Sequence, residues 1–413
     1  MTNWKQIQSL VPQPGADPDF AACLAAFPQL ELAKTTPQDP VYHAEGDVWT
    51  HTQMVVRELL ADPGHAALTA TERETVFLAA LLHDVAKCST TVVGEDGRIG
   101  QPGHSRRGAL DARLMLWEAG APVDQREAIC RLIAVHQVPF FAFADSRRGL
   151  SPEFIVRELS WQADLHLLTL LARADMRGRI CPDIASVLVN IELVREFALE
   201  EGCLRTPRRF ASAETAVRYF RGAQLHPDYA LHAQEGSRAI VMCGLPASGK
   251  NTWVAAHHGD LPVVSFDDAR TELGLRHGQN EGAAAHHAVD KAKALLRAGQ
   301  PFVWNATHLS RQMRGKTVDL CLAYGARVEL VHLEASRPTL LARNRARDTT
   351  LTNAALLSLL QRWDVPLPTE AHALSLLVTE AVTNAFKRAF PPDLAGSIEV
   401  SLSRSGQRAL LSV

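Results

Sequence analysis

The residues I-V-M-C-G-L-P-A-S-G-K-N-T, at 240–252, run from an apolar segment into a loop that ends in lysine. This order is typical of a phosphate-binding loop, in which glycines turn the backbone so that its N–H groups face the phosphates. The lysine then reaches the β- and γ-phosphates of a nucleotide. The residues expected to bind the nucleotide are Gly244, Ser248, Gly249, Lys250, Asn251 and Thr252.

Asn251 departs from this pattern, because serine or threonine normally stands here and gives a hydroxyl to Mg²⁺. Either the amide oxygen of Asn251, the hydroxyl of Thr252 or a water must serve the metal instead. The loop therefore predicts a site for ATP and Mg²⁺.

A second set of reactive residues lies in the N-terminal half and consists of histidines and aspartates. His83 and Asp84 follow the apolar segment 77–82, so they should lie at the inner end of a bundle, where a buried charge requires a partner. A divalent metal would supply it, and imidazole with carboxylate ligation suits zinc, iron, manganese, nickel or cobalt. The full set is His51, His83, Asp84, His104, His136 and Asp175.

This order of H, then H-D, then a distal D resembles the HD phosphohydrolase superfamily, and H-A-E-G-D-V-W-T-H-T at 43–52 is similar to the HD domain of bacterial tRNA nucleotidyltransferases. The resemblance implies one or two divalent transition metals, which activate a water for attack on phosphorus. The implied core ligands are His51, His83, Asp84 and Asp175. His104 and His136 match the extra histidines that bind a second metal or the scissile phosphate.

Lys87 lies one helical turn after the H-D pair, so it should face the same site and hold a phosphate oxygen. We interpret His43, His65 and His166 as ordinary core or surface residues.

The acceptor of the phosphoryl group is indicated by V-V-S-F-D-D-A-R at 263–270. An aspartate at the carboxyl end of a strand can accept a hydroxyl proton, and an arginine three residues later shares its helical face. The motif resembles the phage-type polynucleotide 5′-hydroxyl kinases, which implies that Asp267 is the general base and Arg270 the clamp on the acceptor's phosphate. Asp268 is expected to cap the helix.

Two further segments resemble the same kinases. W-N-A-T-H-L-S-R, from Trp304, is similar to their substrate strand and turn, with Ala306 in place of an aspartate. In L-A-R-N-R-A-R, Arg343 and Arg347 lie four residues apart on one helical face and resemble the lid arginines that brace the transferring phosphoryl group.

The elements that must position these residues follow from hydrophobic periodicity. Residues 47–199 have a helical pattern almost throughout, without strand signals. After Arg238, strands at 238–243, 261–266, 301–305 and 327–333 alternate with helices from Lys250 and at 281–298, 310–323 and 337–347. Alternation of this kind predicts a parallel sheet with covering helices and phosphate binding at the carboxyl ends of the strands. The predicted fold is multidomain, an all-α HD-type helical bundle followed by an α/β P-loop kinase domain.

We divide the chain into four segments. These are an HD-type metal phosphohydrolase domain at 1–203, an arginine-rich linker at 204–236, a P-loop kinase domain with its lid at 237–368, and a C-terminal helix and hairpin at 369–413. The arginines of the linker could also contact phosphates. The last segment either packs on the kinase domain or is a truncated fusion remnant.

The composition of the 413 residues, 46% hydrophobic and 21% charged, is that of a soluble globular protein. A net charge of -2 gives no overall attraction to nucleic acid, so such a site must come from local arginine clusters. Seven scattered cysteines without a C-x-x-C pair argue against disulfides and structural zinc. Because the N-terminus lacks a signal-peptide core and no segment approaches membrane-spanning length, we expect a cytoplasmic protein without a membrane partner.

The layout as far as His372 resembles the bacterial HD-domain polynucleotide kinase end-healing enzymes. It implies a bifunctional enzyme that removes 2′,3′-cyclic, 2′- or 3′-terminal phosphates and phosphorylates 5′-hydroxyl ends of RNA or DNA with ATP, before a separate RNA or DNA ligase acts. Two alternatives remain open. One is a nucleoside or antibiotic kinase fused to an HD nucleotide phosphohydrolase, and the other is a non-catalytic nucleotide sensor.

Overall fold

A computed structural model of the protein describes residues 2–144, 149–232, 236–276, 278–347 and 351–378, and the backbone of 401–405 and 408–412. The chain divides into two compact units, Met1–Arg208 and Arg209–Val413. Among the helices within these ranges, none combines the length and the apolar character that crossing a membrane requires.

The first unit is built from helices. Their bounds are α1 Trp4–Gln8, α2 Phe20–Ala26, α3 Val48–Ala61, α4 Pro63–Ala66, α5 Ala70–Leu82, α6 Lys87–Thr90, α7 His104–Glu118, α8 Val123–Val135, α9 Val138–Phe141, α10 Pro152–Gln162, α11 Leu165–Arg177 and α12 Ile184–Glu200. A 3₁₀ helix covers Pro28–Thr35, and a short antiparallel ladder joins β1 Val92–Val93 to β2 Ile99–Gly100. Apart from this ladder, the helical prediction is confirmed.

Side-chain caps determine where the central helices of this unit begin. Asp47 accepts the N–H of Thr50 at 2.9 Å and starts α3, and Thr69 forms a capping box with Glu72 at the start of α5. Asp164 caps α11 and thereby separates it from α10. Each cap satisfies N–H groups that the first helical turn leaves without a partner.

Helix α5 is the central helix of the unit and packs against α3, α8 and α11. It is buried on all sides from Thr75 to Leu82 and ends at His83. A helix that is apolar all round must lie inside a bundle. Its carboxyl end therefore delivers His83 and Asp84 to the interior, where they are 0% and 2% exposed.

The second unit alternates strands and helices. Their bounds are α13 Ala213–Phe220, β3 Arg238–Cys243, α14 Lys250–His258, β4 Val263–Val264, α15 Phe266–Glu272, α16 Glu281–Arg297, β5 Phe302–Asn305, α17 Arg311–Ala323, β6 Arg327–Glu334, α18 Arg337–Ala346, α19 Asn353–Ser358, β7 Ala373–Val378, β8 Ser401–Ser405 and β9 Arg408–Ser412, with 3₁₀ helices at Leu359–Arg362 and Pro368–Glu370.

Five of these strands form one parallel sheet in the order β4-β5-β3-β6-β7. Strand β3 lies in the centre and is buried from Ala239 to Cys243, as expected for a strand with both faces covered. The predicted fold class is confirmed, since a helical unit is followed by an α/β unit with a parallel sheet and a phosphate-binding loop.

The segment from 369 onward differs from the predicted helix. Residues Ala373–Val378 form β7, which pairs with β6 from Glu329↔Ala373 to Glu334↔Val378. The edge of β6 offers backbone N–H and C=O groups that a strand satisfies, and this tertiary pairing overrides the local helical pattern. Residues 379–400 of the predicted helix lie outside the described residues, and β8 pairs with β9 as an antiparallel hairpin.

Arg314 of α17 fixes the segment that leads into β7. Its fully buried guanidinium donates to both carboxylate oxygens of Glu370, from Nε at 2.7 Å and from Nη2 at 2.9 Å. Nη1 donates to the carbonyls of His308 at 3.1 Å and Asp364 at 2.6 Å. This bidentate pair thus ties α17 to the turn before the edge strand.

We expect Arg314→Ala to lower the free energy of unfolding by about 3–5 kcal/mol, because it leaves the buried Glu370 carboxylate without its counter-charge. The matched control is Arg238→Ala, which breaks an exposed pair with Glu329 and should cost less than about 1 kcal/mol. Urea denaturation measures both. Equal losses in the two variants would contradict an anchoring role for Arg314.

Candidate functional site

The chain leaves β3 through a loop whose first residue must be glycine. Gly244 has φ +133°, and a Cβ at this position would lie 2.3 Å from the carbonyl oxygen of Leu333. Gly249, with φ +100°, ends the loop and precedes the first residue of α14. The loop therefore places backbone N–H groups at a helix N-terminus, where an anion is favoured.

Lys250 begins α14 and folds back over this loop. Its Nζ donates to the carbonyls of Gly244 at 3.0 Å and Leu245 at 2.9 Å. Burial, followed by the positive charge of Arg347, lowers the pKa of Lys250 to about 8. Ser248 lies beside it with a buried Oγ that has no hydrogen-bond partner among the described residues. The ammonium group of Lys250 and the hydroxyl of Ser248 could both donate hydrogen bonds to phosphate oxygens.

Asn251 contacts the strand next to the loop. Its Oδ1 accepts the side-chain N–H of Asn305 at 2.9 Å, and Thr252 is exposed one position further along α14. Asn305 is the last residue of β5, immediately before Ala306. Asn305 thus makes the polar contact between β5 and the first turn of α14. It was not predicted from the sequence, although it lies at the carboxyl end of a strand.

The acceptor motif lies on α15. The prediction that Asp268 caps this helix is wrong, because Ser265 accepts the N–H of Asp268 at 3.0 Å and is itself the cap. Asp267 is 81% exposed and accepts a hydrogen bond from Arg270, whose other Nη donates to Glu281 at 2.7 Å. Arg270 therefore has two carboxylate partners, of which Glu281 was not foreseen.

The two arginines predicted to form a lid, Arg343 and Arg347, lie at the end of α18. Arg343 lies in the last turn of this helix. Arg347 comes directly after Ala346, the last helical residue, and is the C-terminal capping residue. The charges of Arg347 and Asp267 both act on Lys250, the first lowering and the second raising its pKa. The charges of Asp267 and Arg347 are therefore close enough to the loop to act on Lys250.

We expect Gly244→Ala to abolish nucleotide binding, because the new Cβ would collide with the Leu333 carbonyl and the backbone could not keep φ +133°. Gly315→Ala is the matched control, since a Cβ in that position of α17 meets nothing within 4 Å. Titration with a fluorescent ATP analogue measures both variants. Retention of wild-type affinity by Gly244→Ala would contradict the assignment of this loop.

The helical unit brings the six predicted histidines and aspartates together in one buried cluster, which we call the helical centre. Ring centroids are 5.5 Å apart for His51 and His83, 5.1 Å for His83 and His136, and 5.5 Å for His104 and His136. Nε2 of His51 lies 3.2 Å from Asp175, and Nε2 of His104 lies 3.4 Å from Asp84.

All four imidazoles of the centre are anchored through Nδ1 to a backbone carbonyl. The pairs are His51 with Gly178 at 3.1 Å, His83 with Ala80 at 2.8 Å, His104 with Gln101 at 2.8 Å and His136 with Ile133 at 2.8 Å. A carbonyl only accepts, so each Nδ1 must carry a proton and each neutral ring keeps its lone pair on Nε2.

The Nε2 atoms of His51, His83 and His136 are buried and lack a hydrogen-bond partner in good geometry among the described residues, although that of His83 lies 3.0 Å from an Asp84 oxygen. Groups of three ligand atoms from this centre lie within 4.8 Å of one another. Buried polar atoms normally have partners. Convergent imidazole lone pairs beside carboxylates fit a divalent transition metal.

The buried carboxylates already have cationic partners, so the argument that burial alone requires a metal is wrong. Lys87 Nζ lies 2.8 Å from Asp84, and Arg179 donates to both oxygens of Asp175 at 2.8–2.9 Å. The case for a metal therefore rests on the Nε2 atoms.

Several residues that shape the helical centre were not predicted. Gly178 permits close contact of two helices, since a Cβ there would lie 2.8 Å from the backbone nitrogen of Val55 in α3. Gln38 accepts a hydrogen bond from Lys87 at 2.7 Å, and Glu45 contacts both His43 and His51. Of these, only Glu45 had a signal, because it lies inside the H-A-E-G-D-V-W-T-H-T motif.

The arginines of the segment 204–236 pair with carboxylates. The pairs are Arg205 with Glu72, Arg208 with Glu201, Arg218 with Glu214 and Arg221 with Asp319. These contacts favour a structural role for this segment over phosphate binding.

A family model described as an AAA domain matches residues 240–366, which include β3, the phosphate-binding loop and α18. Similar solved structures are a candidate kinase from Chloroflexus aurantiacus (20% identity, TM-score 0.28), a sugar kinase from Janibacter sp. (22%, 0.28) and a gluconokinase from Sinorhizobium meliloti (14%, 0.25). Each of the three matches covers 37% of this chain. In the order given, they cover 95%, 92% and 98% of the matched structures. The likenesses are too weak to indicate the acceptor. None of the curated proteins compared with the chain matches it.

Proposed function

We propose that the protein is a bifunctional nucleic-acid end-healing enzyme. In this proposal the helical unit removes a 2′,3′-cyclic, 2′- or 3′-terminal phosphate, and the α/β unit phosphorylates a 5′-hydroxyl end with ATP and Mg²⁺. The ends are then ready for a separate ligase. The observation that carries the proposal is the convergence on Asp84 and Asp175 of Nε2 atoms that lack a hydrogen-bond partner among the described residues, in a chain that also has a phosphate-binding loop.

The residues of the helical centre suit phosphoester hydrolysis. When bound, a divalent metal supplies Lewis acidity and an activated water. The ligands would be His51, His83, Asp84 and Asp175, with His104 and His136 for a second metal or the phosphate. Lys87 uses one N–H toward Asp84 and one toward Gln38, so its third can donate to a phosphoryl oxygen.

The α/β unit suits a hydroxyl acceptor that carries a phosphate. Asp267 would take the hydroxyl proton, while Lys250, Arg343 and Arg347 would brace the transferring phosphoryl group. Arg270 lies directly against the base. A guanidinium in this position favours an acceptor with an anionic group next to its hydroxyl, as at the 5′ end of a polynucleotide.

We expect the two activities to be lost separately. On an oligonucleotide with a 5′-hydroxyl and a 2′,3′-cyclic phosphate, Asp84→Asn should abolish phosphate removal alone, and Asp267→Asn should slow phosphorylation about 10²–10⁴-fold alone. Mass analysis of the ends measures both. Loss of both activities in either folded variant would contradict independent sites.

The same assay distinguishes a small-molecule kinase. With labelled ATP, the oligonucleotide should outcompete a nucleoside for label transfer. Preferential labelling of the nucleoside would replace the polynucleotide acceptor by a small one, and absence of any ATP turnover would favour the nucleotide sensor.

Mn²⁺ should stabilise the metal-free protein, because a ligand that binds only the folded state adds about 2.7 kcal/mol at a hundred times its Kd. His83→Gln should remove this gain. His65→Gln is the matched control, since His65 is also buried in the helical unit but lies outside the centre. Thermal unfolding with and without Mn²⁺ measures the effect. An equal Mn²⁺ response in both variants would contradict ligation by His83.

A further inference from the structure

Glu45 lies in the loop before α3, and its side chain is 1% exposed. Its Oε1 lies 2.7 Å from Nδ1 of His43 and 3.0 Å from Nδ1 of His51. Its Oε2 accepts the backbone N–H of Ile180 at 2.8 Å. Both oxygens of this buried carboxylate are therefore in use, and the contacts join three segments of the helical unit.

The anchoring of His51 differs from that of the other three imidazoles. His83, His104 and His136 each donate from Nδ1 to a carbonyl three residues earlier, so a local turn sets their orientation. The acceptors of His51 are Glu45 and the carbonyl of Gly178, which is 127 residues away in the chain. The orientation of His51 thus depends on tertiary contacts.

The Glu45 carboxylate and the Gly178 carbonyl together fix which nitrogen of His51 carries the proton. An ionised carboxylate and a carbonyl are both acceptors, so Nδ1 must be the donor. The lone pair then lies on Nε2, which points to Asp175 at 3.2 Å and Asp84 at 3.7 Å. A carboxylate behind an imidazole also makes that imidazole a stronger ligand.

We propose that Glu45 is a positioning residue of the helical centre, whose carboxylate holds His51 in the Nδ1-protonated form so that Nε2 can bind a divalent cation. This inference rests on the proposed phosphoesterase function, since it concerns the same centre. The substitution that tests it is Glu45→Gln, because a carboxamide keeps the volume but can donate to Nδ1 and so favour the opposite tautomer.

The measurement is the dissociation constant of Mn²⁺ for the metal-free, full-length protein, obtained by titration with electron paramagnetic resonance. Glu45→Gln should bind Mn²⁺ about 10–100-fold more weakly than the wild type. Glu127→Gln is the matched control, because it also removes a buried carboxylate of the helical unit, one that pairs with Arg113 and Arg126. This control should keep the wild-type affinity.

Each other outcome overturns the inference in a distinguishable way. Wild-type affinity in Glu45→Gln would remove the role of Glu45 and leave the proposed function standing. Equal weakening in both variants would show that the loss reflects a destabilised unit. A wild type that binds no Mn²⁺ would overturn both the inference and the phosphoesterase proposal.

A second measurement needs no folded variant of Glu45. Long-range ¹⁵N–¹H NMR of the wild-type, metal-free protein reports the tautomer of each histidine, and the His51 signal is identified by its absence in His51→Gln. We expect a protonated Nδ1 and an unprotonated Nε2. A proton on Nε2 would overturn the inference whatever the variants do.

Discussion

A polar atom that is removed from water must find a partner, and this requirement determines both candidate sites. In the helical unit the apolar second half of helix α5 carries His83 and Asp84 into the interior. Lys87 compensates Asp84, and Arg179 compensates Asp175. Among the described residues, the Nε2 atoms of His51, His83 and His136 lack a hydrogen-bond partner, and convergent lone pairs of this kind fit a divalent cation.

The charges of the side chains in the helical centre affect which ligand the centre can bind. Asp84 faces Lys87 and Asp175 faces Arg179, so each of these two carboxylates has a cationic partner without a metal. Burial lowers the pKa of His136 to about 3, so this imidazole adds no charge at neutral pH. A divalent cation bound there would add positive charge to the centre, which under the proposed phosphoesterase function would favour a phosphate dianion and stabilise charge that develops on its oxygens.

The sequence predicted those elements whose conformation is set by residues nearby in the chain. The loop of Gly244 and Lys250 was predictable because glycine conformation, preceding strand and following helix are all local. Helix α15 was foreseen, but its cap was misplaced by three residues, since Ser265 and Asp268 are both good capping residues. Strand β7 was missed because its conformation depends on pairing with β6. Glu45 lies inside a motif that was recognised, but its role was not predictable because it depends on Ile180, 135 residues away.

The two sites differ in how a change of charge is tolerated, and this difference follows from their exposure. Asp267 is 81% exposed, so water can replace its partner Arg270, and losing its charge affects chemistry more than folding. Asp84 is buried against Lys87, and losing its charge leaves an ammonium group inside the bundle. An amide at position 84 can still accept a hydrogen bond from this ammonium, whereas alanine cannot. Loss of charge at position 84 is therefore expected to affect folding more than loss of charge at position 267.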